Sequence, residues 1–512
     1  MEPATNNNPS PSAHASLHET KYIERVKHAL IDFGVPEELR LSDRSIYKVP
    51  CYLRKVKEDA YTPQCISIGP IHFKKEELKP MQEHKLRYYQ FFGRRVGVSD
   101  EQMEAYKHYL ETEEKQIRQC YAEKFLDITK DTFVDMMLLD AVFIMELMLR
   151  NCEFKSHKAK HEQNHKRTES FRIKNNNDLI MTHSWLSRNI AGDLILIENQ
   201  IPFFVLQKLY DDVVPRESKK DEHTAGFVKL ATEYFAFYDT QMSSSGETKK
   251  HCSCYILHCL KEPCKSKGKD RSEISKRPLG SNSEENPEGP KHFTDLIRWQ
   301  FYLPTECEAG HAHQVLRTAT KLQGSGISFE KGDVNKRLLE IAFKKTPILS
   351  SFLCFGCFPL SKLFKARLRI PQLKVDHTTE RVFKNLIAFE QFHYPDKPYF
   401  CNYVSFIDSL IHTQLDVELL VEKEVIVHEL GSDKEVATLV NGLCKHVVTN
   451  STCYHHIINK LNDHYMNDWN HTIAALRLVY FRDLWRASGT VVGIAVLVFA
   501  VFQFLRVCRY LF

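Results

Sequence analysis

Residues 132–150, TFVDMMLLDAVFIMELMLR, indicate the fold class of this chain. Apolar side chains recur in it at spacings of three and four residues, which is the period of an α-helix. They are Met136, Met137, Phe143, Ile144, Leu147 and Met148. The pattern predicts a strong helix here and a fold built from helices.

Outward from this helix, the same period predicts further helices, separated by polar or turn-forming segments. They cover 80–96, parts of 179–210, 293–303, a helix that opens near Asp376 and one that follows Ser432. In the last, Ser432 and Glu435 form a capping-box pattern that satisfies free N–H groups. Short strands are predicted at 66–70 and within 367–375. The expected fold class is mainly α, a large helical globular domain with a few short strands.

Composition defines the domain organisation. Residues 1–20 are polar and predict a disordered N-terminus, while two insertions are rich in Ser, Lys, Asn, His or Glu. The predicted regions are a disordered segment at 1–20, the helical domain at 21–486 with polar insertions at 153–178 and 241–291, an apolar segment at 487–505, and a short basic tail at 506–512.

The overall balance of residues indicates a folded protein. Of 512 residues, 43% are hydrophobic and 11% aromatic, and the net charge is only +5. Such a small excess over this length does not predict a nucleic-acid partner. The 15 cysteines are scattered without a spacing framework, which is typical of reduced thiols. The N-terminus has no apolar core of a secretory signal.

The segment 487–505, ASGTVVGIAVLVFAVFQFL, carries no charge. As a helix it would be about 28 Å long, close to the roughly 30 Å of a hydrocarbon core. Arg482 and Arg486 precede it, and Arg506 and Arg509 follow it. This arrangement predicts one C-terminal transmembrane helix and a lipid bilayer as partner. The predicted localisation is a single-pass tail anchor in the plasma membrane or an endomembrane, with the body in the cytosol.

Two glycosylation sequons keep the opposite topology open. They begin at Asn450 and Asn470, and such sequons are modified only on the secretory side of a membrane.

Three acids stand among apolar residues and are candidates for chemistry. They are Asp140, Glu198 and Glu390. A carboxylate on an apolar face must be paired, hydrogen-bonded or neutral. One interpretation is a set of carboxylates for acid–base or metal catalysis. The other is a set of structural ion pairs, with Arg87, Arg150 or Arg298 as partners.

Cysteine and histidine clusters give weaker metal candidates. Cys252, Cys254, Cys259 and Cys264 are spaced C-x-C-x4-C-x4-C, unlike the paired C-x2-C of structural zinc sites. The H-E-x-x-H pattern at 161–165 lies in a polar stretch with no apolar face to pack. Phosphate-binding and nucleophile-elbow motifs do not occur in the sequence. We therefore predict no cofactor and no assigned catalytic residue.

Several phrases, in order along the chain, resemble the plant family called "domain of unknown function 247". They are IYKVP at 46–50, AYTP at 60–63, SIGP at 67–70, DAVFIMELMLR at 140–150, DLILIENQIPFFVL at 193–206, DLIR at 295–298, IPQL at 370–373, NLIAFEQ at 385–391 and GSDKEV at 431–436. The family's pattern usually continues with two histidines and a glycine after SIGP. Here His72 is followed by Phe73 and Lys74, which puts a His-pair site in doubt.

The resemblance implies a mostly helical domain with a transmembrane C-terminus and no established catalytic activity. Its shared acids include Asp140, Glu146, Glu198 and Glu390, and some grass members are associated with pollen self-incompatibility. We predict a non-enzymatic, membrane-anchored protein whose body binds another protein in recognition or signalling. The alternatives are a pollen recognition determinant exposed outside the cell, and an uncharacterised hydrolase or metal enzyme that uses the buried acids.

Overall fold

The computed structural model describes residues 44–95, 98–161, 178–213, 226–236, 289–301, 309–311, 315–333, 337–347, 364–447, 451–480 and 484–511. From Ser45 onward the chain forms one compact unit. The predicted disordered segment at 1–20 lies outside the described residues.

The described elements are mostly helices, as the sequence predicts. In the first half these are α1 (Cys51–Arg54), α2 (Pro80–Gly93), α3 (Asp100–Gln119), α4 (Lys130–His161), α5 (Leu179–Thr182), α6 (Ser184–Leu194), α7 (Phe203–Val213) and α8 (Gly226–Tyr234). In the second half the helices and strands are α9 (Phe293–Phe301), α10 (Ala319–Gly324), β1 (Ile327–Lys331), β2 (Ala342–Pro347), β3 (Phe364–Ile370), β4 (Leu373–Val375), α11 (Thr379–His393), α12 (Tyr399–Leu410), α13 (Gln414–Glu422), β5 (Ile426–His428), α14 (Asp433–Leu443), α15 (His455–Tyr465), α16 (Asp468–Tyr480) and α17 (Leu484–Leu511).

Helix α4 is the centre of the first half. It packs against α2, α3, α5, α7 and α8, and its residues from Ala141 to Leu149 are all buried. A helix that is apolar on every side must be surrounded by other elements, which explains why five helices pack around it. The predicted helix at 132–150 is confirmed. It continues to His161, so the first residues after 153 are helical, and 162–177 lie outside the description.

The second half contains two small sheets. Strand β3 pairs with β1 in parallel and with β2 antiparallel, giving the order β1-β3-β2. Strands β4 and β5 form a separate parallel pair. The strand prediction within 367–375 is confirmed, and it divides into β3 and β4. Alternate residues Ala366, Leu368 and Ile370 are buried, as expected for a strand with one face toward the core.

Two predicted local features differ from the structure or agree only in part. Ser432 caps α14, since its Oγ accepts from Glu435 N at 3.3 Å, but a return bond from the Glu435 side chain is not recorded. The strand predicted at 66–70 is wrong. That stretch belongs to residues 45–72, here called the strap, where the backbone N–H groups bind distant side chains instead of a neighbouring strand.

The C-terminal helix requires a correction. α17 exposes apolar side chains such as Phe502 and Phe499, which are 73% and 67% accessible. Among the described residues, no helix has both the length and the apolar character that crossing a bilayer needs.

The predicted transmembrane helix at 487–505 is therefore wrong by this criterion. The predictions of a single-pass C-terminal anchor, of a membrane localisation and of a topology depended on this helix, and they are wrong by the same criterion. The fold class is corrected to mainly α, with few short strands.

Candidate functional site

Most buried polar side chains of the first half converge on the strap. Of the six consecutive backbone N–H groups from Gln64 to Gly69, five donate to side chains that lie more than seventy positions later in the chain. A buried N–H group without a partner costs free energy comparable to a lost hydrogen bond. These acceptors therefore determine whether the strap can be buried in this conformation.

Asp193, at the end of α6, accepts most of these bonds. Its carboxylate receives N–H groups of Gln64 at 3.1 Å, Cys65 at 2.6 Å and Ile66 at 3.0 Å. Arg381 Nη1 of α11 lies 3.3 Å from it on the other side. The side chain is fully buried, and burial raises the pKa of Asp193 although the three N–H groups and Arg381 oppose the rise.

Asn199 and Gln200 continue the same arrangement in the turn after α6. Asn199 accepts from Ile68 N at 2.6 Å, and its amide group donates to Ile66 O at 3.0 Å. Gln200 donates to Leu194 O at 2.6 Å and accepts from Phe293 N at 3.0 Å. The turn after α6 is thereby joined to the strap and to the start of α9.

Asp140 lies on α4, beneath the SIGP turn of the strap. It accepts from Gly69 N at 2.8 Å and pairs with the ammonium group of Lys85 on α2. Lys85 also donates to Ser67 O at 2.5 Å, and both side chains are almost completely buried. Burial raises the pKa of Asp140, while Lys85 and the Gly69 N–H act in the opposite direction.

Glu198 holds the other end of the strap. One carboxylate oxygen accepts from Val49 N at 2.7 Å, and the other pairs with Arg54 of α1. His72 Nε2 lies 3.0 Å from that second oxygen, within ion-pair distance but not aligned as a hydrogen bond. Burial opposes ionisation, yet His72, Arg54 and the Val49 N–H together hold the pKa of Glu198 below its usual value.

Glu390 belongs to a separate cluster between α9, α11 and α12. It accepts from Arg298 Nε at 2.8 Å and from Cys401 N at 2.9 Å. The Arg298 guanidinium also stacks over the Tyr394 ring at 4.0 Å. Burial raises the pKa of Glu390, against the effect of Arg298. Of the three cations considered from the sequence, Arg298 is the one paired with a candidate acid.

The other two proposed cations have different positions. Arg87 is exposed. Arg150 Nε donates to Glu146 at 2.7 Å, and Arg95 Nε donates to the same carboxylate at 2.8 Å. Glu146, the fourth shared acid, is thus held by two arginines.

Each candidate acid therefore has its own cation and at least one backbone N–H. Within the described residues, the structure does not bring two of the three together on one partner. Nor does that part of the chain contain a group of three or more His, Cys, Asp or Glu side chains placed to hold a metal ion. Chemically, this arrangement fixes the backbone in place. A shared proton or an open coordination site would need a different geometry.

The remaining candidates fall largely outside the description. Cys252, Cys254, Cys259 and Cys264 lie there, as does Asn450. Of the H-E-x-x-H pattern, only the backbone of His161 is described, at the end of α4. Asn470 lies in the first turn of α16, where its Nδ2, the atom that glycosylation would modify, donates to His464 O at 2.7 Å.

Sequence reasoning did not identify Asp193, Asn199 or Lys85 as functional positions. The signal for Asp193 and Asn199 in the sequence is that both are polar and flank the stretch LILIE, in which only Glu198 is polar. Lys85 was visible because Met81, Lys85, Tyr88 and Phe92 recur at helical spacing and all lie on the buried face of α2.

Comparison with known proteins agrees with the sequence phrases. A UPF0481 protein of Arabidopsis thaliana is 25% identical over 446 residues, which cover 86% of this chain and 81% of the relative. A second UPF0481 protein of the same plant is 24% identical over 537 aligned positions, covering 95% of this chain and 94% of the relative. No solved structure matches the chain significantly. The sequence model of DUF247, described as a plant protein of unknown function, matches residues 46–499, and the chain therefore belongs to that family.

Proposed function

We propose that this protein is a non-enzymatic interaction factor whose helical body binds another protein in recognition or signalling. The observation that carries the proposal is an exposed aromatic corner between α15 and α16. Trp469 is 72% accessible there and Met466 is 59% accessible. Tryptophan and methionine are enriched at protein interfaces, and tryptophan supplies many of the residues that dominate binding energy.

The state of the buried acids also favours binding over catalysis. Asp140, Glu198 and Glu390 are each engaged by a cation and by backbone N–H groups. A general acid or base needs a face that a substrate can reach. Side chains that are at most 1% accessible do not offer one, so the burial of these acids favours a structural role.

The corner itself is held in a defined shape. His471 Nε2 lies 2.7 Å from Tyr465 O, and Asn470 Nδ2 donates to His464 O. These bonds tie the first turn of α16 to the last turn of α15. Trp469 is therefore presented on a fixed backbone, which lowers the entropy cost of docking a partner.

A site-specific photo-cross-linker tests the proposal. A benzophenone amino acid would replace Trp469 in one sample and Leu415 in a matched control, because Leu415 is a similarly exposed apolar residue on α13. Plant extract supplies the partner, and unlabelled wild-type protein or a Trp469→Ser variant serves as competitor. We expect a discrete cross-linked species from position 469, displaced by the wild-type protein but not by the variant.

Two results would refute the role of this corner. One is a failure to obtain a discrete product at 469. The other is equal displacement by the wild-type protein and Trp469→Ser, which would mean that the tryptophan does not contribute to the contact.

A further inference from the structure

Strand β2 lies at the edge of the three-stranded sheet, and its outer side is open. In the order β1-β3-β2 it pairs with β3 alone. Every second residue of an antiparallel edge strand directs its N–H and C=O groups away from its partner. Beyond the ladder to β3, no backbone hydrogen bond is recorded within the described residues for Phe343, Lys344 or Lys345. Such unpaired groups are a template for a further strand.

Two lysines of this open edge carry charges that no acid neutralises. Lys344 and Lys345 are both exposed. The acids of the sheet are bound to other cations, since Glu330 is shared by two arginines of β3 and Glu424 lies 3.9 Å from a lysine of β1. In the part of the chain that the structure describes, neither edge lysine has an ion pair. Successive side chains of a strand point to opposite faces, so each face of the sheet carries one of these lysines.

The surroundings of both lysines favour a negative charge. Lys344 lies directly opposite Arg367 in the register of β2 and β3, and like charges in that position destabilise a sheet. On the other face, burial lowers the pKa of His464, and the charge of Lys345 contributes in the same direction. An acid placed beside either lysine would therefore offset repulsion that the fold already contains.

We propose that the open edge of β2 binds an extended acidic segment of a partner protein, which joins the sheet as a fourth strand. The backbone of the segment would bond to the outward N–H and C=O groups of β2, a recurrent mode of peptide recognition. Two adjacent acids of the segment would lie on opposite faces, one beside Lys344 and one beside Lys345. Pro347 has no N–H group, so the pairing would be confined to residues 342–346.

The same lysines select among possible partners. Lysines on an edge strand oppose uncontrolled pairing with other strands, because a neutral or basic strand would desolvate or repel them. An acidic strand gains two ion pairs instead, so the edge discriminates by charge. The backbone groups favour a peptide over a nucleic acid, since a phosphodiester chain has no donors for outward C=O groups. This argument does not depend on the corner at Trp469.

Two peptides with the same strand-forming residues form a matched pair of probes. Thr-Val-Glu-Glu-Val-Thr has adjacent acids, and Thr-Val-Gln-Gln-Val-Thr has nearly the same shape without charge. We expect saturable binding of the acidic peptide to the full chain at or below about 1 mM, and about tenfold weaker binding of the neutral peptide. Fluorescence anisotropy of the labelled peptides at low salt measures both affinities, and added salt should weaken the binding of the acidic peptide.

Charge variants test whether the edge lysines make the contact. Lys344→Glu and Lys345→Glu should each reduce the affinity for the acidic peptide about fivefold or more. Lys434→Glu changes the net charge equally, but this exposed residue lies on α14, outside the sheet, so the affinity should stay unchanged. The double variant of Lys344 and Lys345 should instead bind a peptide in which lysines replace the two glutamates.

N-methylated peptides test whether the segment pairs as a strand. Successive N–H groups of a strand point to opposite edges. Methylation of one glutamate nitrogen should therefore abolish binding of the acidic peptide, while methylation of the other should leave most of it. A peptide held by charge alone would respond equally to the two modifications.

Four outcomes overturn the proposal: no saturable binding of the acidic peptide, equal affinity for the two peptides, equal loss with Lys345→Glu and Lys434→Glu, or equal effects of the two N-methylations. Tighter binding of a hexauridylate that Lys344→Glu removes would also overturn it, because the edge would then belong to a nucleic-acid site. The three substituted lysines are exposed, so their replacement leaves the core intact. None of these outcomes bears on cross-linking at Trp469, and the two proposals therefore fail separately.

Discussion

The strap and the three-stranded sheet differ in what their backbone N–H groups bind. In the sheet, β3 is hydrogen-bonded to backbone on both sides, and its charged side chains Arg367 and Arg369 remain partly exposed. In the strap, backbone N–H groups are bound by buried side chains of Asp193, Asn199 and Asp140. Thus changing a charged side chain in the sheet removes ion pairs only, whereas changing one of these acceptors in the strap removes backbone hydrogen bonds.

The difference explains why Asp140, Asp193 and Glu198 are buried. A buried carboxylate can accept several N–H groups at once, and a cation beside it offsets part of the cost of burying its charge. These three acids are thus the means by which a segment without strand pairing is packed inside. The predictions below test this contrast.

Asp193→Ala should have the largest effect. It deprives three backbone N–H groups of their acceptor, one of them on the fully buried Ile66, and leaves Arg381 without this carboxylate. Breaking such a site costs about 3 to 5 kcal/mol of unfolding free energy. Urea denaturation followed by circular dichroism measures it. A loss below about 1 kcal/mol would contradict the proposed role of the strap contacts.

Asp193→Asn is the companion variant. It keeps one acceptor oxygen and nearly the same volume, so it should destabilise the protein less than the alanine variant. An equal loss would point to the charge itself, through Arg381, as the dominant contribution.

Gly69→Ala should rank second. Gly69 has a φ of +70°, and an added Cβ would lie 2.5 Å from Gln200 O and 3.0 Å from the Tyr121 hydroxyl. The clash is with backbone, and the left-handed conformation disfavours alanine. We expect a loss of about 2 to 3 kcal/mol in urea denaturation. Gly93→Ala, where no atom lies within 4 Å, is the control and should be neutral or stabilising.

The contrast between strap and sheet also separates what sequence could predict from what it could not. Helix α4 and strand β3 were predicted because periodicity along one segment is a local signal. The part of the strap at 66–70 has the apolar pattern of a strand, but its partners lie 71 to 131 positions away. Nothing in the local pattern shows that Asp193, and not a neighbouring strand, takes these N–H groups.

Part of the candidate site can nonetheless be predicted from the sequence. Asp140, Glu198 and Glu390 were identified because charge among apolar residues needs compensation, and all three are buried in ion pairs. The partner of Asp140 is Lys85 and none of the three arginines named from the sequence, because helix period places position 85 on the face that contains Met81, Tyr88 and Phe92. Which cation pairs with which acid depends on tertiary packing, except where helix phase already determines the face.

The third prediction concerns His292 and Asp295, whose contributions to the unfolding free energy change with pH in opposite directions. His292 Nε2 lies 2.9 Å from Ser45 O at the start of the strap, and burial lowers the pKa of His292 to about 3. Its contribution to stability is complete above pH 6.5 and is lost as the pH falls toward 3. Burial raises the pKa of Asp295 to about 6. Its contribution is complete below pH 3.8 and is lost as the pH rises through 6.

Asp295→Asn should remove the pH-dependent contribution of Asp295 and leave that of His292. Compared with wild type, the variant should gain about 2 kcal/mol of unfolding free energy at pH 7 relative to pH 4. Urea denaturation at several pH values between 4 and 7 measures this difference. His292→Gln should shift the pH dependence in the opposite direction. If both variants keep the wild-type profile, these groups do not titrate as their burial requires.

Glu330→Ala should have the smallest effect, although Glu330 also contacts two cations. Its carboxylate oxygens lie 3.3 Å from Arg367 Nε and 3.3 Å from Arg369 Nε, with all three side chains between 28% and 33% accessible. Water solvates the arginines once the acid is removed, and the β1–β3 backbone pairing does not involve the carboxylate. We expect a loss below about 1 kcal/mol, reduced further by salt. Asp193→Ala is measured under identical urea conditions. The difference between the two variants gives the unfolding free energy that Asp193 contributes by accepting backbone N–H bonds. A loss as large as that of Asp193→Ala would show that the number of ion contacts governs stability. A small loss would mean that bonds to buried backbone N–H groups make the strap acids indispensable.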